Sequence, residues 1–463
     1  MSKSPRVLFA ILMTLALCLS LAPTVFADDP DPLLIKEAAI TKLLQVPYGT
    51  KIPDDMIFKF EVRPVSMNRA TETSLLQTMP YGTSIDDEGR PSGSVEIDFG
   101  VEDMPGITVG GISTWYLESG SLFNANAFPH AGVYEYRIAE IPNTYPVSTT
   151  TSPVEVITWS GAVYTVKVFV TETTDDEREI YAIEAERTAA DGDDGDTLGK
   201  VDPTPGGNTE GGTSGSGDDG KADITKGEYE YSQMTFTNTY YKTNVKDRDD
   251  LEKGDYTLAV SKTVNTGDAG LGSLLMPFSF ALTVKAPSLV PGEPVFTAYI
   301  IEKIAEKEYV VSDEPIEFTS GTGQTFSLRH DQCLAFIDTP VGTSYEVGEA
   351  GATNYTPGVN VIYNGDGENN SEVSFTTTGE TDKGLYLPGD YTESKIALYV
   401  GEGKNSADFT NTFENITPAG LDINDLPFYG LILVALVALV TFIAVRSRKR
   451  YKHYVRVSRK TTR

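Results

Sequence analysis

The chain has 463 residues, with 66 acidic against 37 basic side chains, a formal charge of −29 and 10% aromatic residues. A nucleic-acid binder would carry a basic face, and hydrophobic and aromatic content this high is incompatible with wholesale disorder, so both classes are excluded. Cys18 lies in an N-terminal apolar segment and leaves Cys333 alone, which excludes a disulfide scaffold.

In chain order, residues 1–27 read as a secretory signal peptide. Lys3 and Arg6 precede an apolar run from Val7 to Ala22, and Val25-Phe26-Ala27 supplies a small-residue cleavage site. Beyond it, two-residue alternation dominates, as in Phe58-Lys59-Phe60-Glu61-Val62 and in the run from Tyr164 to Val170. Thr, Tyr and Val are common, and Gly, Pro, Asn and Asp punctuate the runs. The exported region therefore reads as all-β, a sandwich or a barrel. Ala189 to Asp223 is nearly all Gly, Asp, Ser, Thr and Pro and cannot bury a core. Its Asp191–Asp196 run lacks the glycine placement and closing glutamate of a calcium loop, so it reads as a solvated loop; no metal or cofactor is expected.

Leu426 to Val445 is an uncharged apolar stretch of 20 residues, long enough to span a bilayer as a helix. The nine basic residues between Arg446 and Arg463 place the tail in the cytoplasm. Setting aside these nine, Lys3 and Arg6 leaves 26 basic against 66 acidic residues in the exported region, about −40. Such a surface resists nucleic acid and self-association.

Three short signatures occur twice in the same order. An apolar strand interrupted by lysine appears as Ala38-Ala39-Ile40-Thr41-Lys42-Leu43-Leu44 and as Leu258-Ala259-Val260-Ser261-Lys262-Thr263-Val264. Tyr136-Arg137-Ile138-Ala139-Glu140 is matched by Tyr345-Glu346-Val347-Gly348-Glu349, and Phe236-Thr237-Asn238-Thr239-Tyr240 by Phe409-Thr410-Asn411-Thr412-Phe413. Residues i, i+2 and i+4 of a strand share a face. Lys42, Glu140, Asn238, Lys262, Glu349 and Asn411 therefore all point with apolar neighbours. Unpaired, each would cost several kcal/mol to bury. One such residue alone reads as a strand-end side chain reaching water, but an ordered set repeated twice does not. A buried Lys–Glu ion pair with an Asn hydrogen bond is the simplest reading of the set.

The same set permits more. Desolvation lowers a lysine pKa and raises that of a glutamate, so an apolar core favours a neutral amine beside a protonated carboxyl group. The amine can attack the Asn carboxamide, while the Glu donates to the amide oxygen and shuttles protons to departing ammonia. The product is a Lys–Asn isopeptide bond, made once without turnover.

The ordered signatures resemble those of the streptococcal pilin isopeptide-linkage domains, modules of Gram-positive pilus and surface-adhesin subunits. The second copy, about 255–414, matches best, with Thr339-Pro340-Val341-Gly342-Thr343-Ser344-Tyr345 leading into the glutamate strand. The first, about 33–242, is longer and fits at the same landmarks. The resemblance implies two tandem Ig-like or Greek-key β-sandwich modules. It implies cross-links Lys42–Asn238, assisted by Glu140, and Lys262–Asn411, assisted by Glu349. It also implies that residues 189–223 form a loop inserted before the last strand of module 1, with the boundary between Thr243 and Asp255. Lys36, Lys51 and Lys59 lie near Lys42, and Lys59 is a poor rival because it faces away from Phe58 and Phe60.

Signal peptide, β modules, membrane helix at 426–445 and basic tail at 446–463 match the layout of sortase-processed wall proteins. In the intervening 415–425 segment, Pro418, Ala419 and Gly420 keep the Pro-x-Gly spacing of a sorting motif, but with Ala where Thr is cleaved. Leu426-Pro427-Phe428-Tyr429-Gly430 is a weaker match. The expected partners are the membrane, sortase and peptidoglycan, other pilin subunits or a host ligand, and no nucleic acid. The function this implies is a structural pilin-like or adhesin protein of the Gram-positive cell surface. The alternative is a membrane-retained adhesin whose module 1 binds a host or matrix partner. An enzyme is disfavoured, because His130 and His330 fall in different modules and no hydrolase or metal motif is present.

Overall fold

Alternation becomes burial directly. In the strand Ile57–Met67, Phe58, Phe60 and Val62 are fully buried while Lys59 and Glu61 are not, so the strand presents one apolar face. Val163–Glu172 behaves in the same way, burying Tyr164, Val166, Val168 and Val170. The computed structural model describes residues 34–99, 107–173, 177–191, 198–206, 231–267, 272–363, 373–387, 398–414 and 431–446. The expected signal peptide, the sorting residues Pro418, Ala419 and Gly420, and most of the Gly/Asp-rich stretch lie outside the described residues.

The first part of the chain forms strands β1 (Thr41–Pro47), β2 (Ile57–Met67), β3 (Ser84–Ile85), β4 (Pro91–Asp98), β5 (Ile107–Val109), β6 (Ile112–Glu118), β7 (Gly132–Ile141), β8 (Val154–Thr158), β9 (Val163–Glu172), β10 (Arg178–Ala189), β11 (Gly199–Val201) and β12 (Thr235–Thr243). They make two sheets, ordered β5-β6-β1-β12-β8 and β11-β10-β9-β7-β2-β4-β3. One hydrophobic core running from Ala38 to Tyr240 in sequence is built from both sheets.

The second part forms β13 (Leu258–Asn265), β14 (Phe278–Lys285), β15 (Val295–Ala305), β16 (Glu308–Val311), β17 (Ile316–Thr319), β18 (Gly323–Leu328), β19 (Gln332–Phe336), β20 (Ser344–Glu349), β21 (Tyr355–Tyr363), β22 (Val373–Thr378), β23 (Leu385–Leu387), β24 (Leu398–Tyr399) and β25 (Ser406–Phe413). Its sheets run β16-β15-β19-β13-β25-β21-β22, with β17 beside β15, and β18-β14-β20-β23, with β24 beside β20. A second core runs from Leu258 to Phe409. Buried Cys333 belongs to a small separate cluster, where Leu251 of the short helix Arg248–Leu251 covers the sheet.

In both parts the first long strand lies beside the last, and the pair is parallel: β1 with β12, and β13 with β25. A parallel neighbour cannot be reached by a tight turn, so nearly the whole module intervenes as the crossover. The two parts meet at a polar joint. Thr243 bridges Pro340, and Val341 N–H donates to the Lys242 carbonyl at 2.9 Å. The Glu402 carboxylate accepts from Lys51 N–H at 2.6 Å and from Lys242 Nζ at 2.9 Å. Gly342, at φ +80°, fits against Pro47, where an added Cβ would come within 2.4 Å of the proline Cβ.

Residues 431–446 are helical with exposed side chains. Among the described residues, no helix is long and apolar enough to cross a membrane.

Candidate functional site

β1 carries Ile40's neighbour Lys42 inward, and the alternation that buries Leu44 buries the lysine side chain completely. Glu140 arrives at the end of β7, and Asn238 from the middle of β12, between the buried Phe236 and Tyr240. The register sets Lys42 opposite Phe236 and Leu44 opposite Asn238. The three side chains meet. Lys42 Nζ lies 2.9 Å from Glu140 Oε1, and Asn238 Nδ2 donates to the same oxygen at 2.8 Å.

The second part repeats the arrangement. Lys262 pairs with Phe409 and Val264 with Asn411, the same two-residue offset. Lys262 Nζ contacts both Glu349 oxygens, at 3.0 and 2.9 Å, and Asn411 Nδ2 donates to Glu349 Oε1. Lys262 and Glu349 side chains are both without exposed surface. The lysines also share an aromatic cage. Lys42 Nζ lies 4.4 Å from the Phe58 ring centroid and 5.8 Å from that of Phe60, and Lys262 Nζ lies 4.3 Å and 5.9 Å from those of Phe278 and Phe280.

Burial brings both lysines down to about 8, against an opposing attraction from Glu140 or Glu349. Burial also pushes the Glu349 carboxyl upward, and its contacts with Lys262 and Asn411 pull the other way. These are the directions that bring amine and carboxyl group toward their neutral forms.

Glu140 Oε1 faces the lysine nitrogen and the carboxamide nitrogen rather than the amide oxygen. The amide oxygen of Asn238 instead accepts from Ser160 N–H at 2.7 Å, a contact sequence reasoning missed. A main-chain donor leaves no side-chain signature. Asn411 Oδ1 is buried without a partner among the described residues. Elsewhere, Lys36 pairs with Glu179 and Lys59 with Glu96, both near the surface, so neither competes for Asn238. His130 Nδ1 lies against the Ala131 carbonyl, and His330 Nδ1 accepts from Val264 N–H, so the two rings serve local structure in separate modules.

Residues 38–241 match a family described as the Spy0128-like isopeptide containing domain. Residues 256–412 match a second family, described as a domain of unknown function, DUF7601. No curated protein matches the chain. Among solved structures, the major pilin from Streptococcus pyogenes aligns at 15% identity over 82% of this chain and 100% of its own, with a TM-score of 0.28. The T3.2 major pilin of the same organism aligns at 14% over 82% and 99%, with a TM-score of 0.26. The pilus-presented adhesin Spy0125 aligns at 19% over 40% of this chain and 31% of its own, with a TM-score of 0.20.

Proposed function

With residues 38–241 matching the Spy0128-like isopeptide containing domain, we propose that the protein is a pilin-like surface protein. Two self-made cross-links stiffen it, Lys42–Asn238 and Lys262–Asn411. The observation that carries this reading is the pair of buried Lys–Glu–Asn contacts, each bridging the parallel first and last strands of its module at the same register offset. In each, neutral Nζ adds to the Asn Cγ, the Glu carboxyl group ferries the displaced proton to Nδ2, and ammonia leaves. One lysine N–H and one carboxamide C–N bond are exchanged for an isopeptide bond. The protein acts on itself and turns over nothing.

Modules at 33–242 and 255–414, export by residues 1–27, and a membrane anchor at 426–445 followed by the tail 446–463 complete the proposal. Sortase transfer at 415–425, through Pro418, Ala419 and Gly420, would move the protein from membrane to peptidoglycan. A binding role for module 1 is favoured by one feature. Tyr116 and Tyr231 stack at 5.5 Å over a groove of about 670 Å³, which Lys200 and Arg187 also line.

Intact-mass measurement tests the cross-links. The ectodomain is expected two ammonia masses lighter than its sequence, with Lys262→Ala restoring one. An unmodified mass would remove the proposal.

A further inference from the structure

Asp191 lies two residues beyond β10 and is buried, 7% exposed. Its carboxylate gathers a short loop between β8 and β9. Oδ1 accepts from Ser160 Oγ at 2.6 Å, Gly161 N–H at 2.7 Å and Ala162 N–H at 3.0 Å. Oδ2 accepts from Thr237 N–H at 2.8 Å, on the residue preceding Asn238. One carboxylate thus fixes both the loop and the strand that carries the reacting carboxamide. The loop it holds directs Ser160 N–H at Asn238 Oδ1, 2.7 Å, and at Glu140 Oε2, 2.9 Å. Buried main-chain donors are nearly always paired, and this one is paired with two side chains of one ionisable cluster. Trp159, packed edge-on against Phe58 at 5.8 Å, seats the loop from the other side.

We propose that Ser160 N–H is the oxyanion donor for cross-link formation in module 1, and that Asp191 is the residue that positions it. This rests on the reading that Lys42 and Asn238 react. As Nζ bonds to Cγ, the C=O π pair moves to Oδ1, where Ser160 N–H stabilises the growing charge. Collapse restores the C=O, breaks Cγ–Nδ2, and releases ammonia carrying the proton that Nζ gave up through Glu140. Atoms and charge balance with no outside reagent. Among the described residues Asn411 Oδ1 has no equivalent donor, so the device belongs to module 1 and module 2 serves as an internal control.

The test is cell-free synthesis of the full chain, acid-quenched at intervals, with the Lys42–Asn238 and Lys262–Asn411 peptides quantified by mass spectrometry. Asp191→Ala is expected to slow the first cross-link at least about tenfold and leave the second unchanged, since a lost oxyanion donor costs 10² or more in rate. Asp191→Asn keeps the Oδ1 acceptor and is expected to recover part of the rate. Both variants are also made with Lys42→Ala, where thermal unfolding without the cross-link shows whether module 1 is folded at the reaction temperature. A wild-type rate in folded Asp191→Ala overturns the assignment. So does slowing that appears only when module 1 unfolds, or an Asp191→Asn variant that is folded but recovers nothing. Absence of the first cross-link from the wild-type chain would instead defeat the underlying reading.

Discussion

A lysine buried in an apolar core costs the fold stability as long as it holds its proton. Lys262 is held near 8 by burial, against 10.5 for the free side chain. Between those values the unfolded chain binds a proton that the native state has released, so stability rises with pH across that window. Below about 8 the cost is present in full, and above 10.5 it is gone. The effect is measurable in Asn411→Ala, which cannot cross-link. Comparison with Asn411→Ala/Lys262→Met removes the lysine titration and cancels that of groups not in contact with it. The gap in unfolding free energy between these two is expected to narrow by about 3 kcal/mol from pH 8 to pH 10.5. A flat gap in denaturant titrations would show Lys262 protonated as in water. The proposed cross-link would remove this cost permanently, because an amide nitrogen carries no charge to desolvate.

At the scale of the element, position along a strand decides whether the chemistry is possible. The parallel pairing sets Lys42 two residues behind Asn238 in register, and β13 with β25 repeats the offset. Moving the lysine by one residue, as Lys42→Leu/Leu43→Lys, turns it to the other face of the sheet. That variant is expected to lose the module 1 cross-link entirely while module 2 still sheds its ammonia, read by peptide mapping. The two-residue period made the six inward polar residues legible in sequence, whereas the strand order of the sheets was not. The same period could have found Lys242, which shares the inward face of β12 with Phe236, Asn238 and Tyr240 and ends at Glu402. Ser160 and Asp191 were illegible for a different reason. The first acts through its backbone, and the second opens a polar run that composition marks as solvated loop, although its carboxylate is one of the most buried acids in module 1.

At the scale of the molecule, the two proposed cross-links and the joint follow one another along the chain. On the proposed reading, tension entering ahead of β1 passes through Lys42 to Asn238, along the end of β12, across the joint, and through Lys262 to Asn411. By analogy with a disulfide closing a loop of this size, each bond is worth on the order of 5 kcal/mol. The joint is then the compliant part. Glu402→Ala leaves Lys242 buried without its carboxylate and is expected to broaden the distribution of distances between spin labels on the two modules. An unchanged distribution would assign the rigidity to the Thr243–Pro340 bridge instead. A protease site engineered between residues 207 and 230 offers a further check. After cutting, the wild-type chain is expected to run as one species on a denaturing gel and Lys42→Ala as two. The adjacency of first and last strands has a consequence for the polymer itself. On this reading the molecule in strong denaturant is two closed loops joined by a short tether. Once cross-linked it can never again reach the dimensions of a linear coil of its length, and its unfolded ensemble is small each time it refolds.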